Sequence, residues 1–375
     1  MKTLTRTIFL LLIATAWLTT AQEAVAKSKY ESVTQKRTET FTGRTDDCTV
    51  EVENRYGSVT IENNDTRGEV IVEVSVQIEG RDIFVKNVSE QNDYPKQINI
   101  NGKRPDRITV KNEMQEYVET TFTTEKDGHT HIGTLQRPMD FDGNKVTVHI
   151  TVRMPKGMNA IVKQEFGNVA LPEDNTGARD ITLYYADMNG GNFKDISVNA
   201  KFADITIRNA GTAEVQLMYA DMSTGDIASL TGDMKFSTCS FCNVKDMDIT
   251  SMYNDDAFES TGTGNYQTQF GDTRIGEIKD GALILKADYS DLRIDAISTS
   301  TDIRASFSDV KLKALLPMNI EVKSEYDKSF NCKVPLKKTN EYEKNTSYNM
   351  TGKIRGGNPN LTLKYTGKYS SLQIR

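Results

Sequence analysis

From Phe166 to Tyr326 the apolar positions recur with a short, nearly fixed period. An aromatic residue marks each repeat: Phe166, Tyr185, Phe202, Tyr219, Phe236, Tyr253, Phe270, Tyr289, Phe307 and Tyr326. The steps between them are 19, 17, 17, 17, 17, 17, 19, 18 and 19 residues, and Phe alternates with Tyr throughout. With the aromatic as position 0, apolar residues stand at −4 and −2 (Val198 and Ala200 before Phe202) and at +3 and +5 (Ile205 and Ile207 after it). A spacing of two within each group is the period of a strand. The odd step from 0 to +3 predicts a bend there, with a small residue at +1 and usually Asp at +2, as in Ala203-Asp204 and Ser308-Asp309. Asp suits such a corner because its carboxylate accepts bonds from nearby backbone N–H groups. A third apolar site lies at +8, for example Ala210, Ile227 and Val244.

This period predicts an all-β solenoid, a single-stranded parallel β-helix with coils of 17–19 residues stacked one on the next. The reading places the aromatic column inside the coil, as a stacked core ladder. The Tyr253 repeat departs from the pattern, with Asp256 at +3 and Thr261 at +8, so a local defect or a site is expected there.

The rest of the chain arranges itself around that run. Residues 1–26 read as a signal peptide: Lys2 and Arg6 precede an apolar stretch from Ile8 to Trp17, followed by small-residue cleavage signatures. No other stretch is apolar enough to span a membrane, so the mature chain is expected to have no transmembrane span. Residues 27–160 hold N-terminal rungs, starting at Val52, Tyr56, Val59 and Ile61, with an irregular insertion over about 80–145. Residues 161–330 are the regular repeats. Residues 331–375 are a C-terminal rung and cap, with Tyr369, Leu372 and Ile374 in register and Lys364, Lys368 and Arg375 available to protect an open edge.

Composition narrows the partners. The net charge of −6 argues against a nucleic-acid partner, since phosphate binding needs a basic surface. There is no Gly-x-Ser-x-Gly and no phosphate-binding glycine loop. Asp255-Asp256, at the irregular repeat, is the one acidic pair that invites a catalytic reading. His129-Thr130-His131 sets two imidazoles at strand spacing, as some zinc or copper sites do, and reads equally as a solvated loop after Asp127-Gly128. Asp187, Asp204 and Asp221 lack the cation that follows the later corner acids two residues on, so any metal on that face belongs beside them. No cofactor is expected. Cys48, Cys239, Cys242 and Cys332 are read as buried thiols or a structural disulfide, with redox or metal chemistry at Cys239-Ser-Phe-Cys242 as the alternative.

The opening Val50-x-Val52-x-Asn54-x-Tyr56-Gly57-x-Val59-x-Ile61, the repeated aromatic–small–Asp corners and Gly352-x-x-x-Gly356-Gly357 before the last rung resemble the bacterial exported repeat family called "putative adhesins". That family is related to head-GIN domains and common in Bacteroidota. The resemblance covers roughly residues 45–375; the chain departs from it in using Ala or Ser more often than Gly before the Asp. It implies a right-handed β-helix and no established activity. The function expected is a non-enzymatic exported scaffold or adhesin-like binding protein of the cell envelope, periplasmic, surface-exposed or secreted, with an envelope protein or glycan as partner. The alternatives are a carbohydrate-active enzyme on the same coils and an envelope-stress signalling component.

Overall fold

The structure, a computed structural model, describes residues 30–91, 93–112, 120–126, 129–135, 140–141, 144–326, 329–358 and 360–375. The predicted signal peptide lies outside the described residues. The fold is all-β apart from helices at Asp82–Gln91 and Tyr94–Gln97. Contacts divide the chain into two compact units.

The first unit takes residues up to Arg37, Val74–Ile98 and Glu113–Val148. Its two helices follow the strand Val70–Arg81, with Asp82 in the first turn of one and a Pro at the start of the other. Arg37 donates to the carbonyls of Pro95 (3.2 Å) and Ile98 (3.0 Å). Gln35 bonds Ser89 O and Tyr94 N, so the helical segment is fastened to the first strand. A hairpin, Thr120–Lys126 with His129–Leu135, forms a separate two-stranded sheet.

The second unit comprises Thr38–Glu73, Asn99–Asn112 and His149–Arg375. Here successive passes of the chain pair in parallel at the sequence period: Ala160 with Arg179, Ala210 with Ile227, Thr238 with Asp255, Leu283 with Thr301. The array also draws in earlier segments. Thr49–Asn63 pairs with Asn159–Ala170, and Arg107–Asn112, from within the expected insertion, pairs with Thr49–Glu53. Residues at −4, −2, +3, +5 and +8 are buried in repeat after repeat, including Val198, Ala200, Ile205, Ile207 and Ala210. These apolar columns form the core and supply the main drive to fold.

The aromatic column is not in that core. Phe166, Tyr185, Phe202, Tyr219, Phe236, Tyr253, Phe270, Tyr289, Phe307 and Tyr326 are 37–53% exposed. The physical reason is the backbone. Each of them, together with Tyr56 and Tyr369, has a left-handed φ between +50° and +65°. That conformation turns the chain sharply and puts two consecutive residues, −1 and 0, outside. The inward alternation therefore breaks between −2 and +1, not between 0 and +3. The small residue at +1 points in: Ala186, Ala203, Ala220, Ser237, Ser290 and Ser308 are all buried. At Gly167 even a methyl group is excluded, since a Cβ would lie 1.8 Å from the carbonyl oxygen of Gly57 on the neighbouring strand.

The end of the array is threaded out of sequence order. Strands Thr362–Lys368 and Ser371–Ile374 lie between the Phe307 rung and the Tyr326 rung: Leu363 pairs with Thr301 on one side and Ile320 on the other. Lys364 and Lys368 are thus interior to the sheet, not on an open edge. Beyond the Tyr326 rung an antiparallel hairpin follows, Ser347–Ile354 with Leu336–Lys344. The latter strand is exposed and carries Lys337, Lys338, Glu341, Glu343 and Lys344, which suits an edge.

Candidate functional site

The left-handed corner dictates the chemistry around it. A bulky residue at positive φ is strained, by about 1–3 kcal/mol. Here twelve such residues stack into one outward ladder, from Tyr56 through Phe166 and onward to Phe307, then Tyr369, then Tyr326. Neighbouring centroids are 4.6–5.4 Å apart and the rings lie within 12° of parallel. Each contact is worth about 0.5–1.5 kcal/mol beyond burial, which offsets part of the strain. Because the rings cover one another's faces, the ladder shows edges to solvent. Tyr184 adds an edge-on contact to Phe166, Tyr185 and Phe202.

Side-chain hydrogen bonds between rungs bear on the residues chosen at +1 and +2. Where the +1 residue of the next rung is Ser or Asn, its side chain accepts the N–H at +1. Ala220 donates to Ser237 Oγ, Ser237 to Asn254 Oδ1, Ser290 to Ser308 Oγ and Ser308 to Ser370 Oγ, at 2.7–3.1 Å. In two rungs the N–H at +2 is met by the Asp of the preceding rung, whereas Asp255, Asp272 and Ser371 donate to the backbone carbonyls of Ser237, Asn254 and Ser308. Asp204 donates to Asp187 Oδ1 (2.9 Å) and Thr238 to Asp221 Oδ1 (3.0 Å). The carboxylates of Asp187 and Asp221 are therefore engaged with backbone. Among the described residues no group of three His, Cys, Asp or Glu side chains is placed to hold a metal. The later cations pair across rungs, Arg293 with Asp272 (3.9 Å) and Lys311 with Asp291 (3.9 Å), and within one, Arg293 with Asp291 (4.0 Å).

That outward face carries a cleft of about 540 Å³ beside the Tyr253–Phe307 rungs. Asp255, Asp272, Asp295, Arg274, Arg293 and Lys313 line it. Lys313 and Arg274 both bond Asp295 and hold its carboxyl below the usual range. The cleft brings acids and bases together, but no aromatic side chain lines it.

The irregular Tyr253 repeat is a polar island inside the core. Asp255 and Asp256 are neighbours on one strand and so point to opposite faces: both border the cleft, but Asp255 is exposed while Asp256 is 3% exposed. They are not brought together as an acid–base pair. Asp256 Oδ2 accepts from Tyr266 Oη (2.6 Å) and Ser251 Oγ (2.5 Å). Tyr266 Oη also meets Thr273 Oγ1 at 2.8 Å, and Asn254 donates to Ser251 Oγ at 2.9 Å. Cys239, one rung back in the same column, faces Asp256. No cation compensates the carboxyl. Burial therefore pushes its pKa up to about 6, against the opposing effect of the Ser251, Tyr266 and Cys239 donors. Asp256 Oδ1 and Thr268 Oγ1 have no hydrogen-bond partner.

Cys48 and Cys239 are buried and Cys242 and Cys332 half-buried, all as free thiols. Burial raises the pKa of each, which is opposite to what a reactive thiolate needs. His129 and His131 fall in the backbone of the strand His129–Leu135, but their side chains lie outside the described residues. One buried charge was not foreseen. Arg179 is 2% exposed and donates to Met158 O (2.6 Å), Ala178 O (3.0 Å) and Asn175 Oδ1 (3.1 Å). Burial lowers its pKa to about 10, and it closes the carbonyls of a corner without a carboxylate. Its place at −6, one step before an apolar −4, is the sequence signal that was available.

No protein family profile matches the chain, and no curated protein matches it. Among solved structures the chain is similar to one described as a "putative cell adhesion protein from Clostridium sporogenes ATCC 15579". The identity is 7%, 91% of this chain and 97% of that one are covered, and the TM-score is 0.18. A score that low carries no argument about function. Among the described residues no helix is long and apolar enough to cross a membrane.

Proposed function

We propose that the second unit is a single-stranded, right-handed parallel β-helix, and that the protein is an exported, non-enzymatic, adhesin-like scaffold of the cell envelope. The observation that carries the reading is the unbroken outward ladder from Tyr56 to Tyr326, beside which side chains at +1 and +2 bond the backbone of neighbouring rungs in several repeats. Eleven strand steps at about 4.8 Å give a regular surface about 50 Å long. Such a surface repeats the same groups at a constant interval, which suits an extended partner such as an envelope glycan or a protein strand. The signal-peptide pattern at residues 1–26 supports export. The cleft supports a second reading, a carbohydrate-active enzyme using Asp255 or Asp272 beside Arg274.

The test is sedimentation of the purified chain with isolated envelopes, peptidoglycan and extracted surface polysaccharide. The scaffold reading expects saturable retention on at least one of these with no release of reducing sugars or unsaturated fragments. Release of fragments, lost in Asp255→Asn, supports the enzyme. Retention on none contradicts the scaffold.

A further inference from the structure

We propose that Leu361–Ile374 is an exchangeable rung through which two copies of this chain join, each placing its own segment in the other's slot. The inference is independent of what the outward faces bind.

The slot is bounded on both sides by parallel strands that precede the segment in sequence. Thr301–Ser306 and Met318–Glu325 flank Thr362–Lys368. Asp309–Leu315 and Phe330–Cys332 flank Ser371–Ile374. The strand leading into the segment, Ser347–Ile354, lies on the far side of Met318–Glu325. The chain must therefore cross over that strand to enter the slot. The crossing begins at Arg355, Gly356 and Gly357, all with positive φ (+51°, +90°, +77°). A side chain at Gly356 would meet nothing within 4 Å.

The slot is made for this segment in particular. Leu363, Tyr365, Leu372 and Ile374 fill the inward columns and are buried. Ser370 Oγ receives the Ser308 N–H at 3.0 Å and Ser371 Oγ donates to Asp309 Oδ1 at 2.5 Å. Tyr369 stacks between Phe307 (4.8 Å) and Tyr326 (4.6 Å). On the outward side Lys364 is registered between Asp302 and Glu321, and Lys368 opposite Glu325. The occupant these features select is the same sequence from a second copy. Exchange reproduces every one of these contacts, so the joined and single forms differ only in the crossing and in the concentration-dependent cost of association.

The experiment places a cysteine on each side of the slot in the full chain, with Cys48, Cys239, Cys242 and Cys332 changed to Ala so that the introduced thiols are the only ones. Asp309→Cys and Ser371→Cys proteins are mixed in denaturant, refolded together, oxidised and run without reductant. A covalent heterodimer is expected, increasing with refolding concentration and absent from either variant alone. The double variant in one chain, refolded dilute, is expected to close within the monomer. No heterodimer where the double variant closes internally overturns the proposal, as does failure of the double variant to close. Deleting Gly356 and Gly357 shortens the crossing and is expected to move the protein from monomer to dimer by light scattering; a protein that folds and stays monomeric overturns it too.

Discussion

Replacing Asp256 by Asn is expected to stabilise the protein at neutral pH. The wild-type carboxyl is buried without a cation, and its pKa rises from 3.8 to about 6 on folding. The folded state thus holds the proton more tightly than the unfolded state. The stability this confers is complete below the unfolded value, falls as pH rises between about 4 and 6, and is gone above the folded value. A shift of about two units corresponds to about 3 kcal/mol. Asn keeps the size and an acceptor for Tyr266 and Ser251 but cannot ionise. Urea unfolding of both proteins from pH 4 to 8 isolates the effect, because the other carboxyls cancel in the difference. The two are expected to match near pH 4, with Asp256→Asn gaining up to about 3 kcal/mol by pH 7.5. A difference that does not change with pH, or an Asn variant less stable at pH 7.5, would refute the account of an uncompensated buried acid.

The ring ladder gives a prediction with an unusual order. Phe236→Ala removes two stacking contacts and is expected to cost about 1–3 kcal/mol, less than the 3–5 kcal/mol for a buried Phe. Phe236→Gly is expected to be more stable than Phe236→Ala by about 1 kcal/mol, since Gly accepts φ +54° freely; denaturant melts showing Ala as the better residue contradict the left-handed corner. Ser308→Ala deprives the buried Ser290 N–H of its acceptor and is expected to cost about 1–3 kcal/mol, whereas an exposed change such as Thr206→Ala is expected to stay within about 0.5 kcal/mol. Asp187→Ala is expected to lower stability by about 1 kcal/mol through the lost bond to the Asp204 N–H, with the melting temperature unmoved by millimolar calcium or chelator. A calcium-dependent shift abolished by Asp204→Asn would restore a metal on that face.

The period, the apolar columns and the corner acids were legible because each residue's neighbour along the array lies 17–19 positions on, so a column in space is a column in the sequence. The direction of the aromatics was not. A ring at every repeat reads as core by its hydrophobicity, and only a left-handed φ turns it out. The small residue after every ring but Tyr326 carried that signal: a position otherwise restricted to Ala, Ser, Gly or Asn is a crowded inward one. The polar Tyr253 repeat was visible at Asp256 and Thr261, but the partners Ser251, Tyr266 and Thr273 lie in three different columns and only folding gathers them. The threading of Leu361–Ile374 was hidden for a different reason. Tyr326 follows Phe307 by 19 residues, an ordinary step, so nothing local reports that another rung lies between them.

The most direct test of the account is distance between outward corner positions as a function of repeat number. Spin labels at Asp187 and Asp255, in a background with the four cysteines changed to Ala, stand four strand steps apart, and labels at Asp187 and Asp309 stand seven. Pulsed dipolar spectroscopy is expected to give separations near 19 Å and 34 Å, increasing by about 4.8 Å per repeat. Equal separations, or a second pair no farther apart than the first, would contradict a stacked array with one rung per repeat and remove the regular surface on which the scaffold function rests.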